Sequence, residues 1–338
     1  MSFAPGDLGL PVFGAPMAGG PGTPRLAAAV SSAGGLGFLP GGYLSAQRLA
    51  EDISTARSLT SGPLGVNLFV PQRSIADPGD LESYRIALQQ LGRRYGVEPG
   101  EASWDDDAWS EKVELLLDIR PEVVSFTFAL PDPEVLARFR AAGVTTAMTV
   151  TSVEEARAAA GFGALVVQGP EAGGHRGTLN PALRPPRRPL PELLTDVVRA
   201  VDVPVVAAGG ISDPEAAAAA LRAGACAVQV GTALLLADEA GTNPVHRAAL
   251  VDPRFTETVV TRAFSGRYAR GLENDFTRGL DAVAPLGYPE VHHMTSPIRR
   301  AAVAAGDPDG TNLWAGTGFR SVRSVPAAEI VSELGASR

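Results

Sequence analysis

The chain has four histidines, and one stands where an imidazole could do chemistry. The stretch QGPEAGGHRG, residues 168–177, places His175 behind Gly173 and Gly174, shortly after a glutamine that closes the apolar run ALVVQ. A neutral imidazole can take a proton or hold an anionic oxygen near pH 7. Two glycines let such a loop pass close to a flat ligand. The plainer alternative is a loop histidine satisfied by backbone, and the position directly after a buried run weighs against it. His246 lies in a helical pattern and reads as a surface residue. His292 and His293 adjoin the segment that would cover the site, and Glu171 reads as solvent-facing. No pair of these residues has metal-ligand spacing with acidic partners, so no metal is expected.

Amides and glycines come next. Asn67, Gln168 and Gln229 each lie at the end of a run of apolar residues. A buried amide must be hydrogen-bonded, and it offers both a donor and an acceptor. It can bridge neighbouring strands, or it can meet the alternating edge of a planar ring such as a flavin. Three of them around one mouth favour the ligand. AAGGISD and VQVGTA carry Gly209-Gly210 and Gly231-Thr232, where backbone N–H groups could cradle a phosphate. Glycines that merely turn the chain are the alternative there. The single lysine, Lys112 in WSEKVELLL, reads as part of an amphipathic surface helix, so a Schiff-base aldolase has no nucleophile here. The single cysteine, Cys226, reads as a small buried hydrophobe before a strand. One cysteine makes no internal disulfide and cannot ligate an iron–sulfur cluster.

Something must hold these groups together. Eight apolar runs recur along the chain: 12–18, 36–42, 64–70, 123–128, 145–150, 164–169, 204–210 and 227–235. They are continuous rather than alternating, as in strands buried on both faces and therefore parallel. Helical stretches lie between them, one capped at Thr23-Pro24, one starting at Ser45, others over 81–95, around Lys112, over 153–160 and over 214–223. Eight strand–helix units predict an α/β fold, a (β/α)8 TIM barrel, with a doubly wound open sheet as the alternative. A barrel works at the C-terminal ends of its strands. That rule gathers Pro16-Met17-Ala18, Asn67, Gln168, His175, Gly209-Gly210 and Gln229-Val230-Gly231-Thr232 at one mouth. Residues 1–237 would form the barrel. Over 238–300 no buried-strand run is visible, which predicts a small, mostly helical substrate-side domain. Residues 301–338, with a final helix from Pro326, would pack back on the barrel.

Composition narrows the partners. Of 338 residues, 45% are hydrophobic and 20% charged, and the net charge is −8. Without a basic stripe, neither nucleic acid nor anionic lipid is an expected partner. No apolar stretch of about 18 residues exists for a membrane span, and the N-terminus lacks a basic signal region. A cytoplasmic location is expected.

The pieces APMAGGPGTP, GGLGFLPGGYLS, PLGVNLFVP, VSFTFALP, VVQGPEAGGHRG, VPVVAAGGI, VQVGTALL, FSGRYARG and LWAGTG occur in this order. Over nearly the whole chain this set resembles the nitronate monooxygenases, formerly called 2-nitropropane dioxygenases. EAGGHRG is its most specific member. The chain is most similar to the class whose usual substrate is propionate 3-nitronate. The resemblance implies a flavin mononucleotide (FMN) enzyme on a (β/α)8 barrel. Such an enzyme oxidises nitronates or nitroalkanes with O2 to a carbonyl compound plus nitrite or nitrate, through one-electron transfer to the flavin. It also implies that His175 is the base or substrate anchor. Flavin contacts then fall on Asn67, Gln168, Gly173, Gly210 and Gln229-Val230-Gly231-Thr232, beside Gly209, with the backbone of Pro16-Met17-Ala18 against the ring. Two residues depart from the family pattern: Tyr268, where proline is frequent, and Thr317, where a longer polar residue is usual. Both are expected toward the mouth, where they would touch substrate preference. A homodimer is compatible with the resemblance. An NAD(P)H-dependent enoyl-acyl-carrier-protein or quinone reductase on the same barrel is the alternative. A flavin-binding protein without turnover is a second alternative.

Overall fold

The computed structural model describes residues 7–336. Eight parallel strands close into a barrel: β1 (Val12–Gly14), β2 (Leu36–Pro40), β3 (Leu64–Phe69), β4 (Val123–Thr127), β5 (Thr145–Val150), β6 (Ala164–Gln168), β8 (Val205–Ala208) and β9 (Ala227–Val230). Helices α1 (Pro24–Ser32), α2 (Ala46–Leu59), α4 (Trp109–Ile119), α5 (Pro133–Ala141), α6 (Val153–Ala158), α7 (Leu190–Ala200) and α8 (Pro214–Arg222) connect them. The helix starts read from the sequence hold, and each is capped: Thr23 accepts from the N–H of Leu26, and Ser45 from that of Arg48. The barrel is thus closed, and the open-sheet alternative falls away.

Several strands end earlier than their apolar runs. β1 stops at Gly14, because Pro16 has no N–H to continue a ladder. β8 stops before Gly209 and Gly210, whose φ values of 102° and 72° leave the β region. After β9, residues 232–234 turn into a 3₁₀ helix.

Alternation along each strand sorts the core into two layers. Outward residues such as Val66, Val124 and Phe126 pack under the helices. Inward residues Phe13, Phe38, Val123, Ala147, Val166, Val206 and Ala227 fill the barrel floor. At Gly65 a Cβ would lie 2.4 Å from the Phe38 ring, so only glycine leaves room for that ring. Truncating a ring buried this way costs about 3–5 kcal/mol. Two residues further along, the inward positions turn polar: Asn67, Ser125, Thr149, Gln168 and Gln229. A period of two therefore lifts each amide from an apolar floor to a polar rim.

A second sheet stands over that rim. It joins β7 (Gly174–His175), β10 (Thr258–Thr261) and β11 (Ala269–Leu272) in the order β10-β11-β7, all antiparallel. Two of these short strands lie within 238–300, where the sequence shows no buried-strand run, among the helices expected there. β10 and β11 are short, and half of their residues are only half-buried. A one-sided pair with Thr and Arg lacks the continuous apolar signature. Helices α9 (Pro244–Val251), α10 (Asp275–Leu280) and α11 (Glu290–Ala304) complete this region. Helix α3 (Pro78–Tyr95) packs with α11 through Tyr84, Leu88, Met294 and Ile298. The covering layer therefore draws on residues from inside the 1–237 span. The last helix, α12 (Ala327–Gly335), returns to the layer around the barrel through Ala327, Ile330, Val331 and Leu334, against α1 and α8. None of the described helices is long and apolar enough to cross a membrane.

Candidate active site

The C-terminal rim of the barrel and the second sheet enclose a cavity of about 480 Å³. The residues assigned to the base and the cofactor in the sequence all line it: Pro16, Met17, Ala18, Asn67, Gln168, Gly173, His175, Gly209, Gly210, Gln229, Val230, Gly231 and Thr232. Trp314 and Gly316, from the tail, close one side.

His175 is held from several directions. Its backbone pairs with Ala269 as the edge of the second sheet. Gln168 Nε2 donates to the His175 carbonyl at 3.0 Å, while Gln168 Oε1 accepts from the N–H of Gly177 at 2.9 Å. Both ends of that amide are thus spent on the histidine loop, although the residue also faces the cavity. The imidazole touches the rings of Phe128, Tyr288 and Trp314, with centroids 5.6–5.7 Å away. Its Nε2 lies 2.8 Å from Ser265 Oγ. Ser265 Oγ also lies 3.2 Å from the Arg267 carbonyl, which it can donate to instead. Two tautomers are therefore served. When Ser265 donates to Arg267, Nε2–H donates to Ser265 and Nδ1 bears the lone pair. When Ser265 donates to Nε2, Nδ1 bears the proton. Nδ1 has no partner among the described residues.

Electrostatics hold the ring neutral. Burial, then the guanidinium charges of Arg267 and Arg299, lower the His175 pKa to about 3. Arg267 is 2% exposed, stands 4.0 Å above the Phe128 ring, and donates to Gln72 Oε1 at 2.8 Å and to the Thr178 carbonyl. Phe128 and Tyr43, both at this mouth, have φ of 87° and 67°. Such strain in bulky residues clusters at functional sites.

The other amides differ from Gln168. Asn67 is 3% exposed, and its Nδ2 donates to Ser125 Oγ at 2.9 Å and Thr127 Oγ1 at 3.0 Å. That leaves Oδ1 free of described donors. The Gln229 side chain makes no hydrogen bond to the described residues. Both residues line the cavity. Around the glycine loops, a Cβ at Gly173 would lie 2.5 Å from the backbone of Ala315 and Gly316. Thr232 Oγ1 accepts from the N–H of Gly316 at 2.9 Å.

Four side chains contradict their sequence reading. His246 is 4% exposed rather than on the surface, lines the cavity, and has a buried Nε2 without a partner. Burial lowers its pKa to about 4. Its spacing to Ala249 and Leu250, on the buried face of α9, is the signal that shows this. Lys112 is 1% exposed and pairs with Asp107 at 2.9 Å, and it shares a buried face with Leu116 four residues on. Glu171 is half-buried, and its Oε2 is buried without a hydrogen bond. Its side chain lies over Gly210, where a Cβ would come within 3.0 Å of Glu171 Cβ. Tyr268 is not at the mouth either: it lines neither this cavity nor the outer one beside it, and its ring lies under Arg262 at 5.4 Å. Thr317, between two lining glycines, donates its N–H to the Glu171 carbonyl at 3.0 Å. Ser265 was not singled out from the sequence, because nothing local in FSGRYARG marks a partner 90 positions away.

An outer cavity of about 640 Å³ adjoins the inner one and shares Tyr43, Phe69, Phe128, Ser296 and Arg300 with it. Tyr43 stacks on His292 at 4.3 Å, and Tyr288 Oη donates to Tyr43 Oη at 3.3 Å. Asp107 accepts the Tyr43 N–H at 2.9 Å, so the Lys112 pair braces this wall.

Comparison with known proteins follows the geometry. The family profile described as nitronate monooxygenase matches residues 8–336. A Staphylococcus aureus (strain Newman) protein named "Probable nitronate monooxygenase" is 36% identical over 330 residues, 96% of this chain and 93% of that protein. The crystal structure of the nitroalkane oxidase from Streptomyces ansochromogenes is 47% identical with a TM-score of 0.93, covering 98% of this chain and 96% of that one. FabK from Thermotoga maritima is 29% identical with a TM-score of 0.74, covering 98% and 93%. With a profile spanning nearly every described residue and a relative alike from end to end, the chain belongs to the nitronate monooxygenase family.

Proposed function

We propose that this enzyme binds FMN and oxidises alkyl nitronates with O2, propionate 3-nitronate foremost, to a carbonyl compound plus nitrite or nitrate. The observation that carries the reading is the state of His175. It is a neutral imidazole with a free Nδ1, braced at Nε2, on the wall of a cavity rimmed by glycines and unspent amides.

The residues present fit the cofactor. Gly209 and Gly210 are in the left-handed region, which keeps side chains out of a phosphate's way. Gly231 leaves Ala15 and Met17 free to face a ring, since a Cβ there would sit 3.3 Å from Ala15 Cβ. Asn67 Oδ1 and the Gln229 amide would meet polar ring atoms. Bound there, FMN supplies the electron acceptor and the site at which O2 reacts. The protein's own part is positioning, proton handling and exclusion of water.

His175 does two things in this scheme. Toward a nitronate, which is already deprotonated, Nδ1–H donates to a nitronate oxygen. Toward a neutral nitroalkane, the other tautomer offers the Nδ1 lone pair to the α-proton. A pKa near 3 makes the ring a weak base, and general-base catalysis works best near the operating pH. A nitronate, which needs no deprotonation, does not depend on that weak base.

Purified protein tests this reading. Flavin absorbance bands, FMN identified by mass in the released cofactor, and O2 uptake with propionate 3-nitronate are the expected results. Colourless protein that neither takes up FMN nor consumes O2 would overturn it.

A further inference from the structure

Arg299 and Arg300 stand in the C-terminal half of α11, and both line the inner cavity. The Arg299 guanidinium donates to Thr295 Oγ1 at 3.0 Å, Asn312 Oδ1 at 2.8 Å and Ser296 Oγ at 2.8 Å. All of these acceptors are neutral. Nη1 carries two hydrogens, and Asn312 takes only one of them. Neither arginine has a carboxylate partner among the described residues. The Arg300 side chain makes no hydrogen bond to the described residues. His246, with its unpartnered Nε2, lies in the same cavity wall against the Trp314 backbone.

A guanidinium drawn out of water without a counter-ion is costly. Burial is the first cause that lowers the Arg299 pKa to about 10, and the Arg300 charge adds to it. A ligand anion would remove that cost. The cofactor phosphate is one source, and a substrate carboxylate is the other. The phosphate already has a cradle at Gly209-Gly210 and Gly231-Thr232, which lines the inner cavity alone. Arg300 and Ser296 line both cavities, on the helix whose His292 stacks on Tyr43 between them. The Arg299 charge also acts on His175. An anion here thus lies on the substrate side, within electrostatic reach of the imidazole.

We propose that Arg299 and Arg300 form a carboxylate subsite that selects nitronates bearing a second negative charge on a short chain. The proposal rests on the nitronate reading of the site. Guanidinium forks hold carboxylates with paired hydrogen bonds, and a lysine would not reproduce that geometry.

The test uses the flavin-loaded full chain and the variants Arg300→Gln, Arg299→Gln and Arg299→Lys. The quantity read is kcat/KM for propionate 3-nitronate divided by kcat/KM for propyl-1-nitronate. Losing one charge-assisted hydrogen bond costs about tenfold to a hundredfold. The ratio is expected to fall by that much in Arg300→Gln, which is exposed and leaves folding intact. Inhibition by succinate should weaken in proportion, with FMN affinity within threefold of the parent. A ratio within twofold of the parent would overturn the proposal. So would a tenfold loss of FMN affinity with the ratio preserved, which would assign the arginines to the phosphate. If the parent holds FMN but oxidises neither nitronate, the proposed reaction fails by itself. The subsite is then decided by whether succinate perturbs the flavin spectrum of the parent and not of Arg300→Gln.

Discussion

His175 Nε2 and Ser265 Oγ, 90 positions apart in the chain, lie 2.8 Å from each other. The contact exists because β7 pairs with β11, and Ser265 occupies the turn between β10 and β11. Sheet pairing thus sets the ring's orientation, and the hydroxyl braces Nε2 in either tautomer. Ser265 is a positioning residue in this arrangement. Ser265→Ala should lower kcat about 3- to 10-fold, the worth of one buried hydrogen bond, with a smaller change in KM. Ser265→Thr should recover much of the loss. Equal kcat in the alanine variant would remove the hydroxyl from the mechanism.

Replacing the imidazole itself separates its two roles. His175→Asn keeps a donor near Nδ1 but loses the base. Turnover of neutral nitroalkane should fall about 10²–10⁴-fold, while part of the nitronate activity stays. Steady-state O2 uptake with nitroethane and its nitronate measures both. Undiminished nitroalkane turnover would refute the role as base.

Three histidines are held neutral, and this couples stability to pH. The pKa values of His175, His246 and His292 are lowered from 6.5 to about 3, 4 and 2, in each case chiefly by burial. Between about pH 6.5 and 4 the unfolded chain binds protons that the folded chain does not. Stability therefore rises with pH across that window, and these groups add nothing above it. The Tm of the flavin-free protein should drop steeply from pH 6.5 to 4.5. His246→Phe should make that drop shallower, and an identical slope in the variant would contradict the account.

The glycine loops permit a separate check on the cofactor. Gly210 has φ of 72°, and an added Cβ would come within 3.0 Å of Glu171 Cβ. Gly210→Ala should cost about 1–2 kcal/mol in strain and weaken FMN binding at least tenfold. Flavin fluorescence titration reads the affinity. Unaltered binding would place the phosphate elsewhere.

Lys112 and Asp107 make a prediction about the mouth. Lys112→Met leaves Asp107 half-buried without its partner, beneath the Tyr43 N–H that it accepts. Loss of about 1–3 kcal/mol is expected in urea unfolding. Lys112→Met with Asp107→Asn should recover part of it. No change in the single variant would mean that solvent screens the pair.

Much of this protein was legible before any fold was known. Continuous apolar runs identify parallel buried strands, because both faces of each strand are covered. Strand order then places Asn67, Gln229, the glycine loops and His175 at one end, since a barrel's strands all point the same way. The cap at Thr23 and the helix start at Ser45 were readable because a helix N-terminus is marked by residues next to it. What the chain alone did not disclose depends on contacts between distant segments. The strands of the second sheet are two to four residues long and mix buried with half-buried positions, and no local pattern announces them. The buried states of His246 and Lys112 follow from which helix face meets the core. Gln168 serves the histidine loop rather than standing free, because the chain folds back over its own strand end. The Ser265 partner of His175 and the unpaired arginines on α11 exist only once β11 and α11 close over the barrel. Local chemistry specifies the elements and their ends, whereas burial and pairing of polar side chains are decided by the surfaces that tertiary packing brings together.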